Sequence, residues 1–281
     1  MDALIEAALS EDVGSGDATS RSVIAEEDRC AAILVSRGDY VLAGTTVAAK
    51  VFHTVDASID VKLQRLDGER VGEGDVILSV AGPARSILTA ERNALNFLQR
   101  MTGIATLVRV YVERVAGTGA AILDTRKTTP LHRALEKYAV TCGGGENHRM
   151  GLYDRIMLKD NHLAQWRKHN DGSLEDMVHA ARKACPELDI EVEVESVEDF
   201  QKVAAAKPEW ILLDNMSPDQ MRECVALSGE LIRLEASGGI TLETILEVAE
   251  TGVDAISVGA LTHSATWADL ALEFQEQDPD V

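Results

Sequence analysis

The chain lacks the cysteine spacing of a zinc site or a disulfide framework. Its four cysteines, Cys30, Cys142, Cys185 and Cys224, are scattered without a close pair, which implies reduced thiols in a cytoplasmic protein. It has no apolar run near the ~20 residues that span a bilayer. Its start, MDALIEAALSEDVG, is acidic and lacks a basic segment, so neither a secretory signal nor membrane attachment is expected. Aromatics make up only 4%, leaving a core of Ala, Val, Leu and Ile, as in α/β layers. Positive charge is also short. Lys plus Arg number 27 against 47 Asp plus Glu, a net charge of −20. Such a surface repels nucleic acid and anionic membranes, and any anion site must be a local basic pocket. No GxGxxG follows a strand, so nothing supports a dinucleotide fold.

What is present reads as two halves. The 281 residues, 46% of them hydrophobic, suit one large domain or two smaller ones. Up to about residue 90, short β-rich runs (AAILVS, YVLAG, VKLQRL, VILSVAG) are broken by glycines, predicting a small mixed α/β domain with an antiparallel sheet. A long helix follows, with a stripe of Leu95, Leu98, Met101, Ala105, Val108, Val112 and Val115, and is expected to bridge the halves. From Ala121 on, strand and helix alternate. Strands read as AAILD, DRIMLKD, DIEVEVE, WILLDN, LIRLEAS and DAISVGA. Ser173, Ser196, Ser217-Pro218 and Thr241 mark helix starts, and Gly252 marks a stop. This alternation predicts a parallel sheet, with six units favouring a β/α barrel over an open sheet.

In such barrels the residues closing the strands meet at one mouth. Here they are Asp124, Lys159-Asp160, Glu193 or Glu195, Asp214, Ser237 and Gly259. Asp and Asn at strand ends are also ordinary turn formers, but five charged or polar strand ends together favour a site. DTRKTTPLHRALEKYAVTCGGGENHR places Arg126-Lys127 just past a strand and His148-Arg149 after a triple glycine. Cations clustered in an acidic protein fit a polyanion pocket, although a lone His is more often a satisfied core residue and a triple glycine a flexible loop. EASGGIT and SVGALTHS each run strand, glycine loop, helix, as phosphate sites do. Glu193 and Asp214, on successive strands, could hold Mg²⁺. Glu191, Glu193 and Glu195 alternate onto one face of a strand, which is costly unless metal or lysine supplies positive charge.

Taken together, EDVGSGDATS, AERNALNFLQRMTGIAT, DTRKTTP, KYAVTCGGGENHRMGLYDRIMLKDNH, IEVEVES, LLDNMSP, EASGGI and VGALTHS resemble the quinolinate phosphoribosyltransferase family, in that family's order. The resemblance implies an α/β protein: an N-terminal α/β sandwich (1–104, with the tail 266–281 packing on it) and an open β/α barrel of the type II phosphoribosyltransferase kind (105–265). It implies transfer of phosphoribosyl from phosphoribosyl diphosphate to quinolinate, giving nicotinate mononucleotide, pyrophosphate and CO₂ for NAD synthesis, with Mg²⁺ as cofactor. It further implies a homodimer or higher oligomer with shared sites, in the cytoplasm. Arg126, Lys127, His148 and Arg149 would grip the two carboxylates of quinolinate, and Arg92 would reach in from the other subunit. Lys159 would lie between the ring and the diphosphate, and Glu193 and Asp214 would bind sugar hydroxyls and Mg²⁺. Ser237, Gly238, Gly239, Gly259 and His263 would hold the 5′-phosphate. Lys127, Lys159, Glu193 and Asp214 form the catalytic set. A phosphoribosyltransferase for another acceptor such as nicotinate, or a non-catalytic anion-binding relative, are the competing readings; the double cation clamp argues against the first and the paired carboxylates against the second.

Overall fold

The computed structural model describes residues 1–168, 172–229 and 231–275. The chain divides into two compact units. One comprises residues 1–109, 129–144 and the segment from Ser264 on; the other comprises 110–128 and 145–263.

The first unit opens with helices α1 (Asp2–Val13) and α2 (Ala18–Val23). Asp17 caps α2 through its side chain, which accepts the Ser20 N–H. Strand β1 (Arg29–Ser36), the short β2 (Tyr40–Val41), helix α3 (Thr45–Val55), β3 (Asp60–Leu63), β4 (Arg70–Val71) and β5 (Val76–Pro83) follow. With a strand from the end of the chain, β12 (Leu270–Phe274), they form an antiparallel sheet in the order β12-β1-β5-β3, and β2 and β4 form a ribbon. The added strand β12 pairs with β1, Leu272 opposite Leu34. Residues 276–281 of the expected tail lie outside the described residues. Helix α4 (Ala84–Arg114) carries the stripe read from the sequence: Leu95, Leu98, Met101, Ala105 and Val108 are buried and Val112 is half-buried, with Val115 buried just past its end.

Helix α5 (Arg133–Gly143) groups with this first unit, whereas the sequence placed residues 105–265 in the barrel. The reason is close packing. A Cβ on Gly143 would fall 2.5 Å from the Ala105 carbonyl oxygen, Arg109 donates to the Gly143 carbonyl at 2.8 Å, and Arg100 pairs with buried Glu136 at 2.7 Å. The triple glycine is therefore not a flexible loop. Gly143 permits helix contact, and Gly144, at φ 93°, ends α5 in the left-handed region.

The second unit is the alternating one. Strands β6 (Ala121–Leu123), β7 (Ile156–Leu158), β8 (Ile190–Val194), β9 (Trp210–Asp214), β10 (Arg233–Ser237) and β11 (Ala255–Ser257) form a parallel sheet in the order β6-β11-β10-β9-β8-β7. Its edges are β6 and β7, and among the described residues no pairing joins them, so the sheet is open. Helices α6 (Asp160–Trp166), α7 (Leu174–Ala184), α8 (Val197–Ala204), α9 (Pro218–Ser228), α10 (Ile245–Ala249) and α11 (Ala260–His263) connect the strands. Ser173, Ser196 and Ser217 each accept the N–H three residues on, and Pro218 fills the first turn of α9. Thr241 opens a turn ahead of α10, whose helical residues begin at Ile245.

Candidate active site

All the expected site residues except Arg92 belong to the second unit. Arg92 is exposed on α4 in the first unit, at a cavity of about 380 Å³ that Asn93, Asn96, Arg100, His132 and Trp267 also line.

At the carboxyl ends of the parallel strands the side chains gather in small groups. After β6, Lys127 packs over Gly259: a Cβ on that glycine would lie 3.0 Å from Lys127 Cδ and 3.2 Å from His263 Nε2. The Thr262 hydroxyl donates to the Lys127 carbonyl at 2.8 Å and fixes the loop. Arg149 is half-buried. Its guanidinium donates to the Arg155 carbonyl at 3.3 Å, and burial together with the nearby Arg126 charge lowers its pKa below the usual arginine value. Two neighbouring guanidinium charges that oppose each other in a net-acidic chain make a place where an anion is favoured.

Lys159, which follows β7 and precedes α6, forms an ion pair with Glu193 of β8. Both line a cavity of about 590 Å³ with Arg167, Ser173 and Lys202. Asp214 ends β9 and accepts from the Asn215 amide at 2.8 Å. Ser237 closes β10 and Gly238 and Gly239 follow it, and both glycines take positive φ, 95° and 62°. That conformation turns the loop sharply without a Cβ penalty.

His148 is turned elsewhere. Its ring is 6% exposed, and Nε2 lies 3.0 Å from Glu191 and 3.3 Å from Glu235, both fully buried. Its backbone N–H donates to buried Asp124 at 3.0 Å. Burial alone would lower the imidazole pKa; the two glutamates outweigh it and raise it to about 9. The Arg149 N–H lies 2.7 Å from Nδ1, and Nε2 directs its proton between the two glutamates. Burial and the neighbouring Glu191 raise Glu235. Burial also raises Glu191, but His148 and Arg155 bring it below the ordinary carboxylate value. Of the two, Glu235 is therefore the one that takes up a proton more readily and Glu191 the one that ionises more readily. By spacing alone His148, Glu191 and Glu235 could ligate a cation. Arg155, 3.5 Å from Glu191 and 5.1 Å from the Trp210 ring centroid, already supplies the positive charge.

The three alternating glutamates therefore meet different fates. Glu191 finds His148 and Arg155, Glu193 finds Lys159, and Glu195 is exposed. Sequence reasoning passed over Glu235 and Asn215. The signal for Glu235 was its phase, two residues before the strand-closing Ser237 and so on the same face.

Two family models match the chain: the N-terminal domain of quinolinate phosphoribosyl transferase over residues 17–102 and its C-terminal domain over 104–273. A nicotinate-nucleotide pyrophosphorylase [carboxylating] of Mycobacterium leprae is 43% identical over 276 residues, 96% of this chain and 95% of that protein. A probable enzyme of the same name from Bacillus subtilis is 42% identical over 94% of this chain and 89% of its own length. The crystal structure of NadC from Streptococcus pyogenes superposes with a TM-score of 0.92 at 40% identity, covering 98% of this chain and 97% of that one.

Proposed function

The chain belongs to the quinolinate phosphoribosyl transferase family, and from that premise and its strand-end cations we propose how it joins quinolinate to a phosphoribosyl group in NAD biosynthesis. The observation that carries the reading is the half-buried Arg149 beside the like charge of Arg126, a pairing that favours added negative charges. A dicarboxylate supplies two. Arg126, Lys127 and Arg149 grip it, with His148 setting the direction of the Arg149 backbone. Lys127, Gly259 and His263 on one side and Ser237, Gly238 and Gly239 on the other receive the 5′-phosphate end of phosphoribosyl diphosphate.

Glu193 and Asp214 are paired hard oxygen donors of the kind Mg²⁺ takes together with substrate phosphates, and they fit that ion because each is already oriented, by Lys159 and by Asn215. Bound there, Mg²⁺ supplies charge neutralisation for the departing pyrophosphate. The quinolinate ring nitrogen forms the new bond to the anomeric carbon as the bond to pyrophosphate breaks. Lys159 lies beside the developing charges. The 2-carboxylate then leaves as CO₂, its bond electrons pass toward the cationic ring nitrogen, and the ring carbon takes a proton. The chain's part is positioning and electrostatics.

The proposed assembly is a homodimer in the cytoplasm. Exposed Arg92, Leu131 and Trp267 support an interface, and four free cysteines support a reducing compartment. Among the described residues no helix is long and apolar enough to cross a membrane. Mixed dimers of Arg92→Ala and Lys159→Ala subunits should regain part of the activity that each homodimer loses; no rescue in verified mixed dimers refutes the shared site.

Calorimetric titration tests the acceptor. Quinolinate should bind at least ~30-fold more tightly than nicotinate, since a buried charge pair is worth about 2 kcal/mol or more, and Arg149→Ala should erase most of that preference. Equal binding of the two acids by the unaltered protein would assign a different acceptor.

A further inference from the structure

Asn215 is one of three non-glycine residues among the described ones with positive φ, at 54°. Asparagine is among the few residues that tolerate this conformation. Three contacts depend on it. Its amide donates to Asp214 Oδ2 at 2.8 Å. Its backbone N–H donates to the Ser237 carbonyl at 2.9 Å, tying the end of β9 to the end of β10. Its side chain fills the space beside Gly238, where a Cβ would fall 2.2 Å from Asn215 Oδ1. One exposed residue thus links the carboxylate assigned to sugar and metal with the loop assigned to the 5′-phosphate.

We propose that Asn215 is a positioning residue for phosphoribosyl diphosphate: its left-handed turn sets the separation of Asp214 and the Ser237–Gly239 loop, and its amide orients the Asp214 carboxylate. The proposal rests on the site reading given above for those groups. An unoriented Asp214 would rotate freely about its side-chain torsions, and each productive encounter would have to fix it.

The test is steady-state kinetics of the full chain with Mg²⁺, varying each substrate, together with thermal melting. Asn215→Gly keeps the left-handed backbone and removes the amide. It should raise the KM for phosphoribosyl diphosphate roughly tenfold, the factor for one hydrogen bond to a charged group, and leave the quinolinate KM and the melting temperature unchanged. Asn215→Asp keeps the shape, loses the donor and sets a like charge beside Asp214, so it should not rescue. A diphosphate KM that stays normal in Asn215→Gly, an equal rise in both KM values, a fall in melting temperature with general loss, or rescue by Asn215→Asp each overturns the role. Asp214→Ala separates the two layers. If it impairs diphosphate use and Asn215→Gly does not, the positioning role alone fails. If Asp214→Ala itself leaves the diphosphate KM unchanged, the site reading fails and the positioning role with it.

Discussion

Glu191 and Glu235 have no exposed surface, and an ionised carboxylate in that setting is expensive unless paired. The two are driven apart: burial and Glu191 raise the pKa of Glu235, while His148 and Arg155 bring that of Glu191 down, so the proton is assigned to Glu235. The two acids should therefore respond differently to the same substitution. Glu235→Gln imitates the protonated acid and should change the unfolding free energy little. Glu191→Gln strips Arg155 of its buried partner and should cost about 3 kcal/mol, measured by urea unfolding. Equal effects would refute the assignment of the proton. What was legible at this scale is the placement of the candidates along the chain. Lys159, Glu193 and Asp214 stand at or beside the ends of β7, β8 and β9, and Arg126 and Lys127 follow β6, as their places in the sequence suggested, whereas Arg149 lies in the segment between α5 and β7. The inward turn of His148 was not legible, because its partners Glu191 and Glu235 come from strands β8 and β10, far away in sequence.

Helix starts and strands were easiest to read, because caps and apolar runs are local signals. All six parallel strands fall on the runs named from the sequence. The assignment of α5 was not readable, since it depends on how Gly143 meets Ala105 and Val108. Elements are also joined through single side chains. Glu209, just before β9, accepts from the Ile190 N–H of β8 at 2.8 Å and pairs with Arg182 of α7. Burial would raise its pKa, but Arg182 and that N–H outweigh it and leave the pKa lowered. A lowered folded value means that the group stabilises the fold above its unfolded pKa of about 4.3. That stabilisation is lost as pH falls through the folded value. Relative to Glu209→Gln, the native protein should be more stable at pH 6, and the gap should shrink toward pH 3 in paired urea melts. A gap that holds or widens on acidification would contradict this linkage.

The whole molecule carries −20 charges, and arginine outnumbers lysine among its 27 cations. Self-repulsion opposes the folded state at low ionic strength, and the screening length falls from ~30 Å at 0.01 M to ~3 Å at 1 M salt. The melting temperature should rise between dilute buffer and molar KCl; a flat or falling curve removes this expectation and leaves the site assignment standing, because the site rests on pocket residues. Net charge was legible from composition, whereas the return of the tail to the first unit was expected only through the family resemblance, because the β12–β1 pairing joins segments far apart in sequence. The central claim is chemical, and one measurement reaches it directly: quinolinate labelled in its 2-carboxylate, incubated with the protein, phosphoribosyl diphosphate and Mg²⁺. Labelled CO₂ should appear in step with pyrophosphate and nicotinate mononucleotide, and only when both substrates are present. Pyrophosphate release without labelled CO₂, or no turnover of quinolinate by the folded protein, would contradict it.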